Sequence, residues 1–235
     1  MFYFDPTYIV ILPALILSLW ASFNVKLTFN KNSRIMSQRG YTAAMACRTV
    51  LDRNGLYHVK IERVGGSLTD HYDPRANVIR LSDSVYNSTS VAAIGVACHE
   101  AGHAVQHAQN YLPIRIRQAI IPITTFGSSF GLIIFLLGVL LTIMGEQFII
   151  IAYIGIALFS LTAVFQLITL PVEFNASRRA MEAIKEGGIL YENELGGAKS
   201  VLKAAALTYV AALASTLSQV LRLLLILSRA NNRRR

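Results

Sequence analysis

Val91–Asn110 reads VAAIGVACHEAGHAVQHAQN and sets His99, Glu100 and His103 in the order H-E-x-x-H. On a helix, residues four apart share one face, so both imidazoles reach one ion with Glu100 beside it. Three protein ligands and a water make the usual catalytic zinc shell, in which the water's pKa falls to about 7 and a carboxylate can take its proton. Only two ligands are in this stretch. Its Ala and Gly content predicts a closely packed helix, capped from within Asn87–Ser90 and ending near Asn110–Pro113. His107 continues the His face but cannot join His99 on one ion, because eight residues of helix rise about 12 Å; it is expected to support a ligand or to face solvent. Cys98 points off that face, and with Cys47 it is expected to be a small buried residue.

What surrounds the stretch is unusually apolar. The 235 residues are 54% hydrophobic and 15% charged, against roughly 25% charged in a soluble domain. Ile121–Met144 and Phe148–Pro171 lack Asp, Glu, Lys and Arg, and each can cross a hydrocarbon core that needs about 20 helical residues. A third span is expected around Tyr8–Phe23. Asp5 precedes it while Lys26, Lys31 and Arg34 follow, the reverse of a cleaved signal peptide, so an uncleaved anchor with its N-terminus outside is expected. Asn24–Gln118, with 12 Lys and Arg against 6 acids, then faces the cytoplasm, and the link Gly145-Glu146-Gln147 faces outward. Ala204–Leu227 is apolar enough for a fourth span, but Thr208, Ser215, Ser218, Gln219 and Arg222 interrupt it and Arg233–Arg235 follow. This polar stripe is expected to pack on the catalytic part, with the segment either crossing or returning. Gly127 and Gly131 form G-x-x-x-G, a close helix contact within the chain or between copies. The net charge of +9 is attributed to residues that set orientation and meet anionic lipid, and no nucleic-acid partner is expected.

The organisation expected is therefore an α-helical integral membrane protein of three to four spans with a small α+β, zincin-like cytoplasmic catalytic part. Its segments are an N-terminal span (1–25), a part carrying the H-E-x-x-H helix (26–118), a transmembrane hairpin (119–172), a second cytoplasmic segment (173–203) and a C-terminal apolar helix with a basic tail (204–235). Arg39–Asn54 has helical spacing, stops at Gly55 and is expected to pack on the site helix. His58–Val64, Ser67–Tyr72 and Asn77–Ser82 suggest a small antiparallel sheet, with Val78–Ser82 the candidate edge that holds an extended substrate, or an ordinary structural hairpin. His58 and His71 lack ligand spacing.

The third ligand is not in a metzincin pattern, since Gln106 and Gln109 stand where that pattern needs glycine and histidine. A hairpin of two spans returns to its starting face, so Glu173 in Pro171–Ser177 (PVEFNAS) emerges near the His helix, with Pro171 expected to open a new helical turn. From position alone Glu173 is either the third ligand or a carboxylate that serves a helix dipole or pairs with Arg178 or Arg179. Tyr209, and less so Tyr191, is a candidate oxyanion donor or aromatic filler.

HEAGHAVQH, two spans and EFNAS together resemble the bacterial neutral zinc metallopeptidases of the YugP type, and more distantly the HtpX-type membrane peptidases with H-E-x-x-H and E-x-x-A-D. The resemblance runs from near Val59 through the stretch at Ala204. It implies that His99, His103 and Glu173 bind Zn2+, that Glu100 is the catalytic base, and that the substrate is a protein or peptide cut at the cytoplasmic face of a bacterial plasma membrane. Ser177 departs from the HtpX aspartate, which removes a supporting carboxylate there but not the metal. HEAGH also occurs in ATP-driven membrane proteases, but G-x-x-x-x-G-K-[ST] is missing here, so that similarity stops at the motif. The rival classes are a zinc transporter and a catalytically silent zinc scaffold. Against the transporter, the motif helix has only about eight apolar residues before it and stands ahead of a separate span.

Overall fold

The computed structural model describes residues 5–232, so the tail arginines Arg233–Arg235 lie outside the described residues. The elements are α1 (Leu12–Asn32), α2 (Ala43–Arg53), β1 (Lys60–Val64), β2 (His71–Asp73), β3 (Val78–Ser82), α3 (Val91–Ala108), α4 (Leu112–Leu141), α5 (Ile149–Glu186) and α6 (Glu192–Asn232). They fall into two compact units. One takes the chain to Trp20, Ile116–Leu170 and the chain from Tyr209; the other takes Ala21–Arg115 and Pro171–Thr208.

The first unit is built mainly from long apolar α-helices. Among the described residues, four helices have the length and composition to cross a membrane. α4 and α5 form an antiparallel hairpin whose backbones touch at glycines: a Cβ on Gly127 would strike the Leu158 carbonyl, one on Gly131 the Phe159 backbone, and one on Gly155 the Phe135 backbone. The G-x-x-x-G contact is thus made within the chain, where the missing Cβ atoms let the two backbones approach closely.

Leu223 and Leu227 of α6 pack with Phe135, Ala152 and Ile156, so the last turns of α6 lie at the hairpin's tip. Since α6 is one helix through Asn232, it does not turn back on itself. Ser215 and Arg222 of its polar stripe meet α1 and the turn before it. Ser215 Oγ is 2.8 Å from Ser18 Oγ. The Arg222 guanidinium lies 3.8 Å over the Tyr8 ring and donates to Thr7 Oγ1 at 3.3 Å. In an apolar surrounding such groups need partners, and these residues supply them.

The second unit is a three-stranded sheet with α2 and α3 packed together beside it. Thr42 caps α2 by accepting from the Met45 amide, and Gly55, at φ +72°, ends it. Ser90 caps α3 through the Ala93 amide. The sheet differs from the expected antiparallel one: its order is β1-β3-β2, with β3 parallel to β1 and antiparallel to β2. Val78–Ser82 is therefore the central strand, not the edge. The reason is burial on both faces: Val78, Ile79, Leu81 and Ser82 are all buried and only Arg80 is partly exposed, the pattern of a strand covered on both sides. Arg80 ties the sheet together, pairing with Asp73 of β2 at 3.1 Å and Glu62 of β1 at 3.7 Å.

α3 runs through the core, where Ile94, Ala97, Cys98 and Ala101 pack with Leu51, Ile79, Leu81 and Ile184. Burial pushes the Cys98 thiol up to about 12 and, together with the nearby Glu100 carboxylate, raises Cys47 well above the usual thiol value. Both cysteines are protonated packing residues at neutral pH.

Candidate metal centre

α3 carries His99 and His103 one turn apart, with ring centroids 4.7 Å apart and nearly perpendicular. α5 meets them from the other side. It continues as one helix through Pro171, so Glu173 lies inside a long helix instead of in the first turn of a new one. Proline costs the ladder the amide that would bond the Leu167 carbonyl, a loss that long apolar helices tolerate when other groups cover it.

What lets Glu173 reach the histidines is Gly102. A Cβ there would lie 2.8 Å from the Ala176 carbonyl oxygen. Both groups belong to helices and neither can swing aside. Gly102→Ala is expected to force α3 and α5 apart, cost about 1–3 kcal/mol of stability, and weaken metal binding. A thermal melt and zinc analysis check this; a variant with unchanged melting and zinc content would show that the close approach is not needed.

Glu173 Oε2 lies 3.3 Å from His99 Nε2 and 3.5 Å from His103 Nε2, and the carboxylate is buried. Zinc bonds near 2.0–2.1 Å in a tetrahedron put ligand atoms about 3.3 Å apart, so these spacings fit one shared ion. One ligand atom from each of the three residues lies within 4.8 Å of the others. Burial works against charge on His103, yet its hydrogen bond to Glu173 and the carboxylates of Glu100 and Glu173 hold its pKa above the ordinary imidazole value. The carboxylates favour positive charge at this spot, and a divalent cation supplies it.

The two arginines considered as partners of Glu173 bond other groups. Arg178 pairs with Glu182 at 2.7 Å, and Arg179 donates to Asn175 and Gln109, each at 2.7 Å. Glu100 is buried beside the histidines, and its charge acts on His103 and on Asp70, the residue before β2. His107 sits at the outer end of the His face with its ring 6.1 Å edge-on from Tyr72 of β2. Tyr191 is exposed, with the Arg39 guanidinium 4.2 Å over its ring. Tyr209 is half-buried on α6, and His58 and His71 are exposed.

The family described as "Putative neutral zinc metallopeptidase" matches residues 7–228. The chain belongs to that family. It is 48% identical over 213 residues to "Putative membrane protease YugP" of Bacillus subtilis (strain 168), covering 91% of this chain and 92% of the relative. No solved structure matches the chain significantly. In a neutral zinc metallopeptidase the His99, His103 and Glu173 group is positioned for the family's zinc ion.

Ser177 and Gln106, which the sequence marked only as departures from related motifs, stand behind the two histidines. Ser177 Oγ is 3.2 Å from His99 Nδ1, and Gln106 Oε1 is 3.0 Å from His103 Nδ1. Gln106 was readable as the residue three beyond His103, on the same helix face, where its side chain can reach back to the ring.

Proposed function

We propose that this chain is a membrane-embedded zinc endopeptidase that hydrolyses peptide bonds at the cytoplasmic membrane face. The observation that carries the reading is the convergence of Glu173 on the His99–His103 pair at zinc-ligand spacing, with the buried Glu100 beside it. Bound there, zinc supplies a Lewis acid and a water acidified to a pKa of about 7. His99, His103 and Glu173 hold the ion; Glu100 takes the proton from the attacking water and hands it to the leaving amine. Tyr209 is the candidate donor to the developing oxyanion.

The substrate is read as an extended peptide. With β3 central, the edge strand bordering α3 is β2, whose Tyr72 touches His107. The free edge of β2 offers the backbone pairing that was expected of Val78–Ser82. On this reading the segments 26–118 and 173–203 make a zincin-like catalytic part, and the lipid bilayer is the chain's other partner.

Orientation rests on charge. Of the 22 Lys and Arg residues, 17 fall between Lys26 and Lys203, the share expected of cytoplasmic segments. The hairpin tip and the end of α6 lie together, so both should face outward. Membrane-impermeant labels are expected to reach tags at Gly145 and after Arg235 in intact cells and a tag at Gly66 only after permeabilisation. Labelling of Gly66 in intact cells would invert the orientation.

Purified protein with zinc is expected to digest an unfolded casein, to stop with a chelator, and to recover on zinc addition. Zinc flux across vesicles without cleavage would indicate a transporter, and bound zinc with neither activity a scaffold.

A further inference from the structure

Gln106 is wholly buried, yet the zinc-peptidase reading gives it no task. Its amide sits among groups whose hydrogen-bonding sense is fixed. Nε2 lies 2.8 Å from the Val172 carbonyl oxygen and 2.9 Å from Asn175 Oδ1. A carbonyl can only accept. Arg179, which can only donate, bonds the same Asn175 Oδ1 at 2.7 Å and so fixes that amide as well. Gln106 must therefore present its NH2 group to α5 and its Oε1 to His103. Since that oxygen can only accept, His103 must carry a proton on Nδ1, and Nε2, which faces Glu173, is the nitrogen left to ligate an ion.

We propose that Gln106 is a positioning residue for the metal centre: it locks His103 in the tautomer that ligates through Nε2 and fastens that ligand to the turn of α5 carrying Glu173. The inference rests on the metallopeptidase reading and extends it. Partners of this kind usually are carboxylates or backbone carbonyls; here a neutral amide does the work, and it adds something they do not. One side chain orients a histidine and also bridges to the helix of the third ligand, so ligand orientation and helix register are set together. His99 has no such forced tautomer, because the Ser177 hydroxyl beside its Nδ1 can donate or accept.

The test uses full-length protein in detergent and two readouts that do not depend on turnover: zinc affinity by competition with a chromophoric chelator, and the visible absorption of the cobalt-loaded protein. Gln106→Leu keeps the bulk and removes every hydrogen bond. It is expected to lower zinc affinity 10- to 100-fold and to change the cobalt bands. Gln106→Glu keeps an acceptor for His103 and gives up the bridge to Val172, so it should restore zinc affinity to within about threefold while melting at a lower temperature than wild type; a merely structural role would not separate the two readouts this way. Should Gln106→Leu fail to fold, Asn175→Ala removes one support of the amide without touching a histidine and is expected to weaken zinc by a smaller factor with altered cobalt bands. Wild-type zinc affinity and cobalt absorption in the folded Gln106→Leu variant, or in Asn175→Ala when that must stand in for it, would overturn the inference alone. Wild-type protein that binds neither metal would overturn the metallopeptidase reading and this inference with it.

Discussion

Glu100→Gln is expected to keep its zinc and to lose about 10²- to 10⁴-fold of its peptide hydrolysis, the usual contribution of a general base. The substitution is nearly isosteric, so α3 packs as before and the ligands on either side of it, His99 and His103, are not displaced. What changes is that an amide cannot accept the water's proton. Glu100 is buried next to the histidines, not on a solvated face. Zinc analysis and casein digestion on the same preparation separate the two consequences. Full zinc with full cleavage would remove Glu100 from the chemistry; loss of zinc as well would assign it to holding the metal.

The site was readable because its two halves carry strong local signals. The H-E-x-x-H helix has the periodicity, the Ser90 cap and the small residues that its packing uses, and the uncharged runs on α4 and α5 predict a hairpin that brings Glu173 back. Gly102 inside the motif is part of the same signal, since that close approach leaves no room for a Cβ.

Other features were hidden for physical reasons. Val78–Ser82 resembles a half-buried alternating strand, because Arg80 and Ser82 are polar; yet Ser82 is buried, its amide and hydroxyl satisfied by Asp70 at 2.7 and 3.0 Å. Hydrogen bonding to a distant residue thus turns a polar position into an interior one, and the strand becomes central. Pro171 was read as a helix start by the rule that holds in water, whereas α5 runs through it. The partner of α6 was also not legible, because the contacts of Ser215 with α1 and of Arg222 with the turn before it depend on the packing of segments far apart in sequence.

Glu173→Ala is expected to cut zinc affinity by well over 100-fold, more than the 10- to 100-fold typical of losing a group behind a ligand. Alanine suits a helix interior, so α5 is expected to persist and the metal-free protein to keep its helical content. The carboxylate is nonetheless the one group that both imidazoles face, at 3.3 and 3.5 Å from Nε2 of each. Without it two neutral nitrogens remain, and the carboxylate that offsets the charge of a divalent ion in a buried place is gone. Glu173→Gln separates charge from geometry: it keeps an oxygen at nearly the same place and should bind zinc more weakly than wild type and more tightly than the alanine variant. Glu173→Asp keeps the charge but draws the oxygens back by one methylene from helices that Gly102 already holds in contact, so it too should lose affinity. The order wild type, Gln or Asp, then Ala in chelator competition fits a ligand. Equal zinc content in all four proteins would give the third coordination position to a different residue.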